Sequence, residues 1–308
     1  MSAIELRHKF ARNFVGMEKQ GRLAAVAVVA SFILQISLAV LTGQYLMENT
    51  SSAVAIAGVF LLIIFIGTRM RALNNIIHEC SHATFTKKRS DNVLIGKFCA
   101  SLLLKSFEDF RKEHLSHHAH LGDYEHDLDL KGLQDLRLED PLTPRVIFRH
   151  IFTPLMGKHL PYYLGTNLSL RDGLPFLLFR VLLIVAFIWF TLLNPMAGLF
   201  LILVPFAFVF PAINYWVDCI DHAGLTQATD DLDASRNVAV PPLVRWLFFP
   251  RNDCYHLVHH LFPQIPATHL PNSHTTLTGE HCYATRTNAA IALPSDKTVL
   301  EQGTIPAE

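Results

Sequence analysis

Eight of the seventeen histidines fall in three short clusters. The clusters read His78-Glu-Cys-Ser-His82, His114-Leu-Ser-His117-His118 and His256-Leu-Val-His259-His260. A structural or catalytic zinc site needs three or four protein ligands, and these clusters offer about twice that number. The clusters therefore predict a site in which histidine nitrogens hold two metal ions.

The spacing within each cluster suits this chemistry. Residues three or four positions apart on a helix share a face, with their Cβ atoms about 5–6 Å apart. His78 and His82 have this spacing, and so do the first and the later histidines of the other two clusters. Each such pair can serve one metal ion, while the adjacent histidines that end the second and third clusters can reach two different metals.

Long uncharged segments must position these clusters. Four membrane-spanning helices are predicted, at about residues 23–47, 50–68, 174–193 and 196–217. No Pro or Gly interrupts residues 68–82, so the second span is predicted to continue as one helix into the first cluster. Arg180, near the start of the third span, is expected to extend its side chain to the membrane interface.

The fourth span is predicted to continue beyond the membrane in the same way. It runs into Asp218-Cys-Ile-Asp221-His222, and its likeness to the second span makes His222 a ninth predicted ligand. Asp218 lies one turn earlier on the same face. We expect it either to bind metal through a water molecule or to orient a ligand imidazole.

The distribution of basic residues predicts the topology. The turns at residues 48–52 and 194–195 carry no Lys or Arg, whereas the N-terminal, central and C-terminal segments do. By the positive-inside rule those three segments are cytoplasmic. The predicted fold class is therefore all-α: an integral membrane protein with four transmembrane helices in two hairpins, under a cytoplasmic helical cap that holds the di-metal site. Shorter apolar stretches at residues 93–104, 146–156 and 240–249 are either interfacial helices or the core of that cap.

Composition limits the other possibilities. The chain has 308 residues and a formal net charge of zero, so one catalytic domain (residues 1–282) is predicted, with no nucleic-acid partner. A polar tail at residues 283–308 is expected to be poorly ordered. The five cysteines have no paired spacing and are predicted to be reduced thiols. The N-terminal segment has no apolar core and is not expected to be a signal peptide.

Several polar residues near the clusters are candidate partners of the ligands. Glu79, inside the first cluster, could orient ligand imidazoles, as could Asp253. Asp127 and Asp129 follow the second cluster and could do the same, or they could belong to a solvated acidic loop. Aromatic residues at 215–216 are expected at a membrane interface. The remaining histidines without ligand spacing are expected at surfaces or interfaces: His8, His150, His159, His269, His274 and His281.

Three functions compete at this point. The fragment HECSH fits the HExxH pattern of zinc peptidases, with Glu79 as general base, but it leaves the other six cluster histidines without a role. A metal transporter should carry ligands near the bilayer midplane, and the predicted spans contain no histidine. A two-metal, oxygen-activating enzyme at the membrane surface uses all the clusters, and nitrogen-rich ligand sets suit iron.

In these residues the chain resembles the membrane-bound fatty acid desaturase superfamily, which includes acyl desaturases, hydroxylases and carotenoid ketolases. The family pattern HxxxH, HxxHH, HxxHH appears here as HECSH, HLSHH and HLVHH, over roughly residues 49–271. The resemblance implies a four-helix transmembrane bundle and two non-haem irons. Where family members often have Asn, four residues before the histidine that follows the last span, this chain has Asp218. The implied iron ligands are His78, His82, His114, His117, His118, His222, His256, His259 and His260.

The resemblance also implies an activity. We expect an oxygen-dependent enzyme that desaturates a fatty acyl chain or a similar aliphatic substrate, with two iron ions as cofactor and dioxygen as co-substrate. A hydroxylase, a ketolase or an oxidative decarboxylase could use the same centre. Because the sequence shows no dinucleotide fingerprint, haem segment or cysteine cluster, a separate electron donor of ferredoxin, rubredoxin or cytochrome b5 type, with its reductase, is expected. The expected location is the bacterial inner membrane, with the active site on the cytoplasmic side.

Overall fold

The computed structural model describes residues 1–50 and 52–289. Helices account for 68% of the described residues, which contain no strand, so the prediction of an all-α fold is confirmed. The five cysteines are all free, as expected for reduced thiols.

Four helices are long and apolar enough to cross a membrane, which confirms the predicted number. We name them span 1 (Arg22–Asn49), span 2 (Ala53–Ser81), span 3 (Leu174–Leu193) and span 4 (Pro195–His222). Spans 2 and 4 extend beyond their predicted apolar cores. Their C-terminal turns therefore carry histidines of the predicted site.

Span 2 lies at the centre of the structure and packs against spans 1 and 4. Gly67 permits the close approach to span 4, because a Cβ atom there would lie 2.4 Å from Cγ1 of Val209. Span 4 is wound as a π-helix over Gly198–Leu203 and Pro205–Val209 before it becomes an α-helix at Phe210. Pro205 has no N–H for the helical ladder, which favours irregular winding at this point.

The remaining helices are shorter and surround the ends of spans 2 and 4. The second-cluster helix (Phe107–His120) begins at Ser106, whose side chain accepts a hydrogen bond from the Asp109 amide. The third-cluster helix (His256–Leu261) is a short buried segment. The other α-helices are Ala3–Phe10, Arg89–Leu102, Pro144–Leu155, Leu160–Tyr163, Pro242–Phe248, Leu270–Leu277 and His281–Ala289. Short 3₁₀ turns occupy Leu133–Leu136, Pro250–Asn252 and Ala267–His269.

The short apolar stretches divide between the two possibilities left open by the sequence. The helix Arg89–Leu102 buries its apolar side in the same core as spans 1 and 2. The helix Pro144–Leu155 instead exposes Phe148, Ile151 and Phe152, and Pro242–Phe248 exposes Leu243 and Trp246. Exposed apolar faces on these two helices are typical of segments that lie along a membrane interface.

The expectation for Arg180 is wrong, and a helix runs across the predicted start of the tail. The Arg180 side chain is fully buried and does not extend to an interface: it lies 3.2 Å from the equally buried Asp172 and donates to the carbonyls of Lys105 and Ser169. The carboxylate and the two carbonyls compensate for the burial of the guanidinium charge, while Nε of Arg180 has no hydrogen-bond partner in the described part of the chain. In addition, the helix His281–Ala289 continues past Tyr283, where the polar tail was expected to begin. Residues 290–308 of that tail lie outside the described residues.

Candidate metal centre

The fold brings all nine predicted histidines together in two groups. In each group every residue offers one ligand atom that lies within 4.8 Å of the others. Group A contains His78, His82, His114, His118 and His259. Group B contains His117, His222, His256 and His260.

The groups divide the clusters in a regular way. Histidines four positions apart stay together: His114 with His118 in group A, and His256 with His260 in group B. Histidines three positions apart separate, since His117 joins group B while His114 stays in group A. Each adjacent pair is consequently split between the two groups, as expected for residues that reach two different metals.

The ring nitrogens of group A point to a common centre. Nε2 of His118 lies 3.1 Å from Nε2 of His114 and 2.9 Å from Nε2 of His259. His82 Nε2 is 2.8 Å from that of His114, and His78 Nε2 is 2.8 Å from that of His259. One N–H cannot satisfy two nitrogens at once. Metal–imidazole bonds of about 2.1 Å with neighbouring ligands at right angles, in contrast, place the donor nitrogens about 3.0 Å apart.

Group B has the same internal spacing with one histidine fewer. Nε2 of His256 lies 2.9 Å from Nε2 of both His222 and His260. The His117 ring packs edge-on against the rings of His222 and His260. Span 4 supplies one member of this group, whereas span 2 supplies two members of group A.

Outer hydrogen bonds orient two of the four imidazoles of group B, and a carboxylate lies near the outer nitrogen of a third. Nδ1 of His117 lies 2.8 Å from the Asp127 carboxylate, and Nδ1 of His222 lies 3.1 Å from the Ala234 carbonyl. The Asp221 carboxylate is 3.6 Å from Nδ1 of His256. Partners of this kind fix the tautomer of a metal-binding imidazole and the direction in which its other nitrogen points.

Asp127 holds the loop after the second-cluster helix as well as the His117 ring. Its carboxylate accepts hydrogen bonds from the backbone amides of Gly122, Asp129 and Leu130. Burial is the largest single influence and favours the neutral acid, but the hydrogen bond and charge interaction with His117, together with the backbone hydrogen bonds, lower the pKa of Asp127 overall. Asp129 is farther from a predicted ligand: its carboxylate lies 3.8 Å from Nδ1 of His114, which is too far for a hydrogen bond.

Burial lowers the pKa of several ligand candidates outside the spans, among them His114, His259 and His260. The charged form of a buried imidazole is disfavoured because it loses its hydration. Neutral imidazole is the form that binds a metal. The site is therefore prepared for cations without having to release protons from these rings.

Two of the predicted imidazole partners have other roles. Glu79 forms a two-pronged ion pair with Arg251, with distances of 2.7 and 2.9 Å. Asp253 pairs with Arg71. Glu79 immediately follows His78 on span 2, so its side chain points away from the shared face of His78 and His82 and reaches the segment before the third cluster.

Asp218 lies beside the histidine groups but belongs to neither. Its carboxylate accepts a hydrogen bond of 2.7 Å from the Tyr163 hydroxyl. Both residues line a cavity that also reaches His78 and His114 of group A and the group B histidines at 117, 222 and 256. This position is compatible with contact through a bound water molecule.

Some side chains expected at surfaces are buried. His159 is fully buried and packs against the rings of Tyr163, Phe208 and Tyr215. His150 is also buried, with Nδ1 2.6 Å from the Tyr215 hydroxyl. Tyr215, expected at a membrane interface, is itself fully buried. The hydrogen bond between His150 and Tyr215 favours the burial of those two side chains, whereas both ring nitrogens of His159 have no hydrogen-bond partner in the described residues.

Sequence reasoning missed three residues that support the site. Asp221 directly precedes the predicted ligand His222, and this position is a usable signal for a supporting residue. Arg251 stands two residues before Asp253, and no spacing rule connects it with Glu79. The Ala234 carbonyl is a backbone group, so residue type cannot reveal it.

Comparisons with known proteins identify the family of this chain. The model of the fatty acid desaturase family matches residues 54–286. The dihydrorhizobitoxine desaturase of Bradyrhizobium elkanii is 29% identical over 67% of this chain and 64% of its own length. The chloroplastic omega-3 fatty acid desaturase of Glycine max is 26% identical over 66% of this chain and 51% of its own. The sphingolipid delta(4)-desaturase of Drosophila melanogaster is 26% identical over 63% of this chain and 58% of its own.

The chain thus spans between about half and two thirds of the length of these relatives. The family match, in contrast, covers most of the chain, including all three histidine clusters and His222. The protein therefore belongs to the fatty acid desaturase family.

Proposed function

We propose that this protein is a membrane-bound, oxygen-dependent di-iron oxidoreductase that desaturates an aliphatic substrate. The observation that carries the proposal is the gathering of nine histidines into two groups with ligand-like spacing. Membership of the fatty acid desaturase family supports the same activity.

The donor set fits iron. Imidazole nitrogens suit iron among the transition metals, and an octahedral ion leaves positions open beside four or five histidines. Group A would hold one ion and group B the other. When bound, the two irons would supply the redox chemistry that activates dioxygen and oxidises an unactivated C–H bond.

The chain's own residues provide position and shielding. The outer partners Asp127, Asp221 and the Ala234 carbonyl keep the group B rings in place. The cavity next to both groups can hold a substrate carbon within reach of either ion. Buried side chains such as His114, Leu130 and Asn214 would limit the access of bulk water on the sides of the cavity that they line.

The two alternatives fit less well. A zinc peptidase would need Glu79 free to act as general base, but this carboxylate is held by Arg251. A transporter would need ligands near the middle of the spans, but the histidines lie at the C-terminal ends of spans 2 and 4 and in the helices around them. Among the remaining activities, the desaturase names of three relatives favour desaturation over hydroxylation, ketone formation or oxidative decarboxylation.

The proposal includes a location and partners. Spans 1 and 2 and spans 3 and 4 would form two hairpins in the bacterial inner membrane. The histidine groups would then lie on the cytoplasmic side, where the Lys- and Arg-bearing segments belong. Residues 1–282 would form one catalytic domain. Electrons would come from a ferredoxin, a rubredoxin or a cytochrome b5, each with its reductase.

Metal analysis and product mass test the proposal together. We expect about two irons per chain in the purified protein, as the two histidine groups require. With reductant and air, a substrate should lose two mass units on desaturation. One zinc and no iron would remove the proposal, and a gain of sixteen mass units would change the reaction to hydroxylation.

A further inference from the structure

The cavity beside the two histidine groups has a volume of about 410 Å³. That value lies near the lower end of the range of about 300–1,000 Å³ for small-molecule sites. Because histidines of both groups form part of its wall, a molecule bound here presents its carbon atoms to both groups. The chemistry of the rest of the wall therefore indicates the class of substrate.

One part of the wall carries an ammonium group, that of Lys105, which interacts electrostatically with Asp129, Asp218 and Glu113 but forms no close ion pair in the described residues. Nζ of Lys105 lies 3.1 Å from Oδ1 of Asn74, and the rings of Phe110 and Phe210 are 5.8 and 5.2 Å away. Within residues 1–50 and 52–289, no carboxylate lies within salt-bridge distance of this nitrogen. Burial lowers the pKa of Lys105, which shows that the protein holds the charge at a cost. An anionic group on a ligand would offset that cost.

Another part of the wall is acidic. The Asp129 side chain is 48% accessible although the chain surrounds it, because it faces the cavity. Glu113 also lines the cavity, and in the described part of the chain its carboxylate has neither a hydrogen bond nor an ion pair. These carboxylates can accept hydrogen bonds from a cationic group.

The apolar part of the wall is interspersed with the charged groups. Leu130, Leu133 and Leu138 lie together and can contact a short aliphatic segment. A long alkyl chain in the same space would cover charged groups without pairing them, which is strongly unfavourable. The cavity is matched to a compact molecule that carries its own charges.

We propose that the substrate is a compact zwitterion, an amino acid with an aliphatic side chain or a molecule of the same chemistry. Its carboxylate pairs with Lys105, its ammonium group faces Glu113 and Asp129, and its aliphatic part lies between the leucines and the histidine groups. This inference rests on the proposed function, because it assigns a substrate to the same site.

A matched set of ligands tests the inference on the purified, iron-loaded protein. L-norleucine carries both charges, hexanoate lacks the ammonium group, hexylamine lacks the carboxylate, and palmitoyl-CoA represents a long acyl substrate. The midpoint of thermal unfolding is measured with each ligand, since a ligand that binds only the folded state raises it. We expect norleucine to give the largest rise, the two singly charged ligands smaller rises, and palmitoyl-CoA none.

Lysine variants locate the effect. Lys105→Met should weaken norleucine binding by about tenfold or more, because a hydrogen-bonded charge pair is lost. It should leave hexylamine binding unchanged, and Lys105→Arg should retain most of the affinity. Lys112→Met is the matched control, since Lys112 is exposed on the second-cluster helix and does not line the cavity.

The outcomes separate this inference from the proposed function. If palmitoyl-CoA stabilises the protein and loses two mass units while norleucine does neither, the inferred zwitterionic substrate is wrong. The proposed di-iron desaturase activity is then retained. Equal norleucine binding by Lys105→Met and the wild type would also overturn the inference. A protein that takes up no iron would overturn the proposed function, whichever ligand raises the unfolding midpoint most.

Discussion

The two histidine groups achieve similar convergence by different means. Group A has five imidazoles, and among the described residues only His114 has a carboxylate near its outer nitrogen. Group B has four imidazoles, of which three have an outer partner. Group A therefore depends on the number of rings and on the rigid end of span 2. Group B depends on the atoms that orient each ring.

The difference follows from where the ligands come from. Span 2 delivers His78 and His82 from a single buried helix end, so the backbone itself fixes their relative positions. Span 4 delivers only His222, and the other members of group B come from two separate helices. Group A also draws on three elements, but four of its five rings form two pairs that share a helix face, whereas group B has one such pair; its other two rings depend more on outer contacts. Group B should accordingly be the more sensitive of the two to changes outside the ring of ligands.

The largest effect is expected from substituting two adjacent histidines, one from each group. We expect His259→Ala to remove the metal of group A and His260→Ala to remove that of group B, so each variant should keep about one iron and lose nearly all turnover. Iron analysis and Mössbauer spectroscopy of the two proteins check this.

The control for both histidine variants is His120→Ala, which removes an exposed histidine that belongs to neither group. It should retain both irons. If His259→Ala and His260→Ala lose the same iron signal, the division into two groups is wrong.

The second test removes an outer partner. Asp127→Asn should lower metal affinity or activity by about 10- to 100-fold, because the His117 ring loses its charged hydrogen-bond partner. The iron of group B should be lost first in a chelator titration.

Asp123→Asn is the matched control, because Asp123 forms an equivalent contact of 2.7 Å with His126, which is exposed and outside both groups. Equal losses in the two variants would show that Asp127 acts through the loop and not through His117.

The third test removes the ion pair between Glu79 and Arg251, which lies next to His78 of group A. Glu79→Gln leaves the Arg251 charge unpaired in a pair whose side chains are 6% and 13% exposed. Breaking a buried ion pair of this kind costs about 3–5 kcal/mol in the free energy of unfolding. Thermal unfolding should show a clear loss of stability.

For comparison, Glu18→Gln breaks an exposed pair with Lys87 and should change stability by no more than about 1 kcal/mol. A Glu79→Gln protein with unchanged stability and no turnover would instead favour a direct chemical role for Glu79.

The smallest expected effect concerns the contact that holds the two groups together. Gly67→Ala adds a methyl group against Val209 and should cost about 1–3 kcal/mol in unfolding free energy. Gly58→Ala is the control, since its nearest neighbour is the end of a flexible Leu46 side chain at 3.3 Å. If Gly67→Ala is as stable as Gly58→Ala, spans 2 and 4 need no such close contact.

Much of the fold was predictable because membrane spans and helical spacing are local properties. A run of apolar residues long enough to cross a bilayer identifies a span without reference to the rest of the chain. The burial of Arg180 was not predictable, because Asp172 and the carbonyls that satisfy it come together only in the folded chain. The partner of Glu79 was missed for the same reason, since Arg251 is far away in the sequence.

The sequence by itself determined the nine histidines, the four spans and the all-α class. Their signals lie in residue type and in spacings of three, four or about twenty residues, which helix geometry converts directly into position. Only the tertiary structure decided which histidine joins which group, which carboxylates orient them, and that Lys105 and Asp129 share one cavity. These arrangements depend on the relative placement of distant helices, and no local spacing rule contains that information.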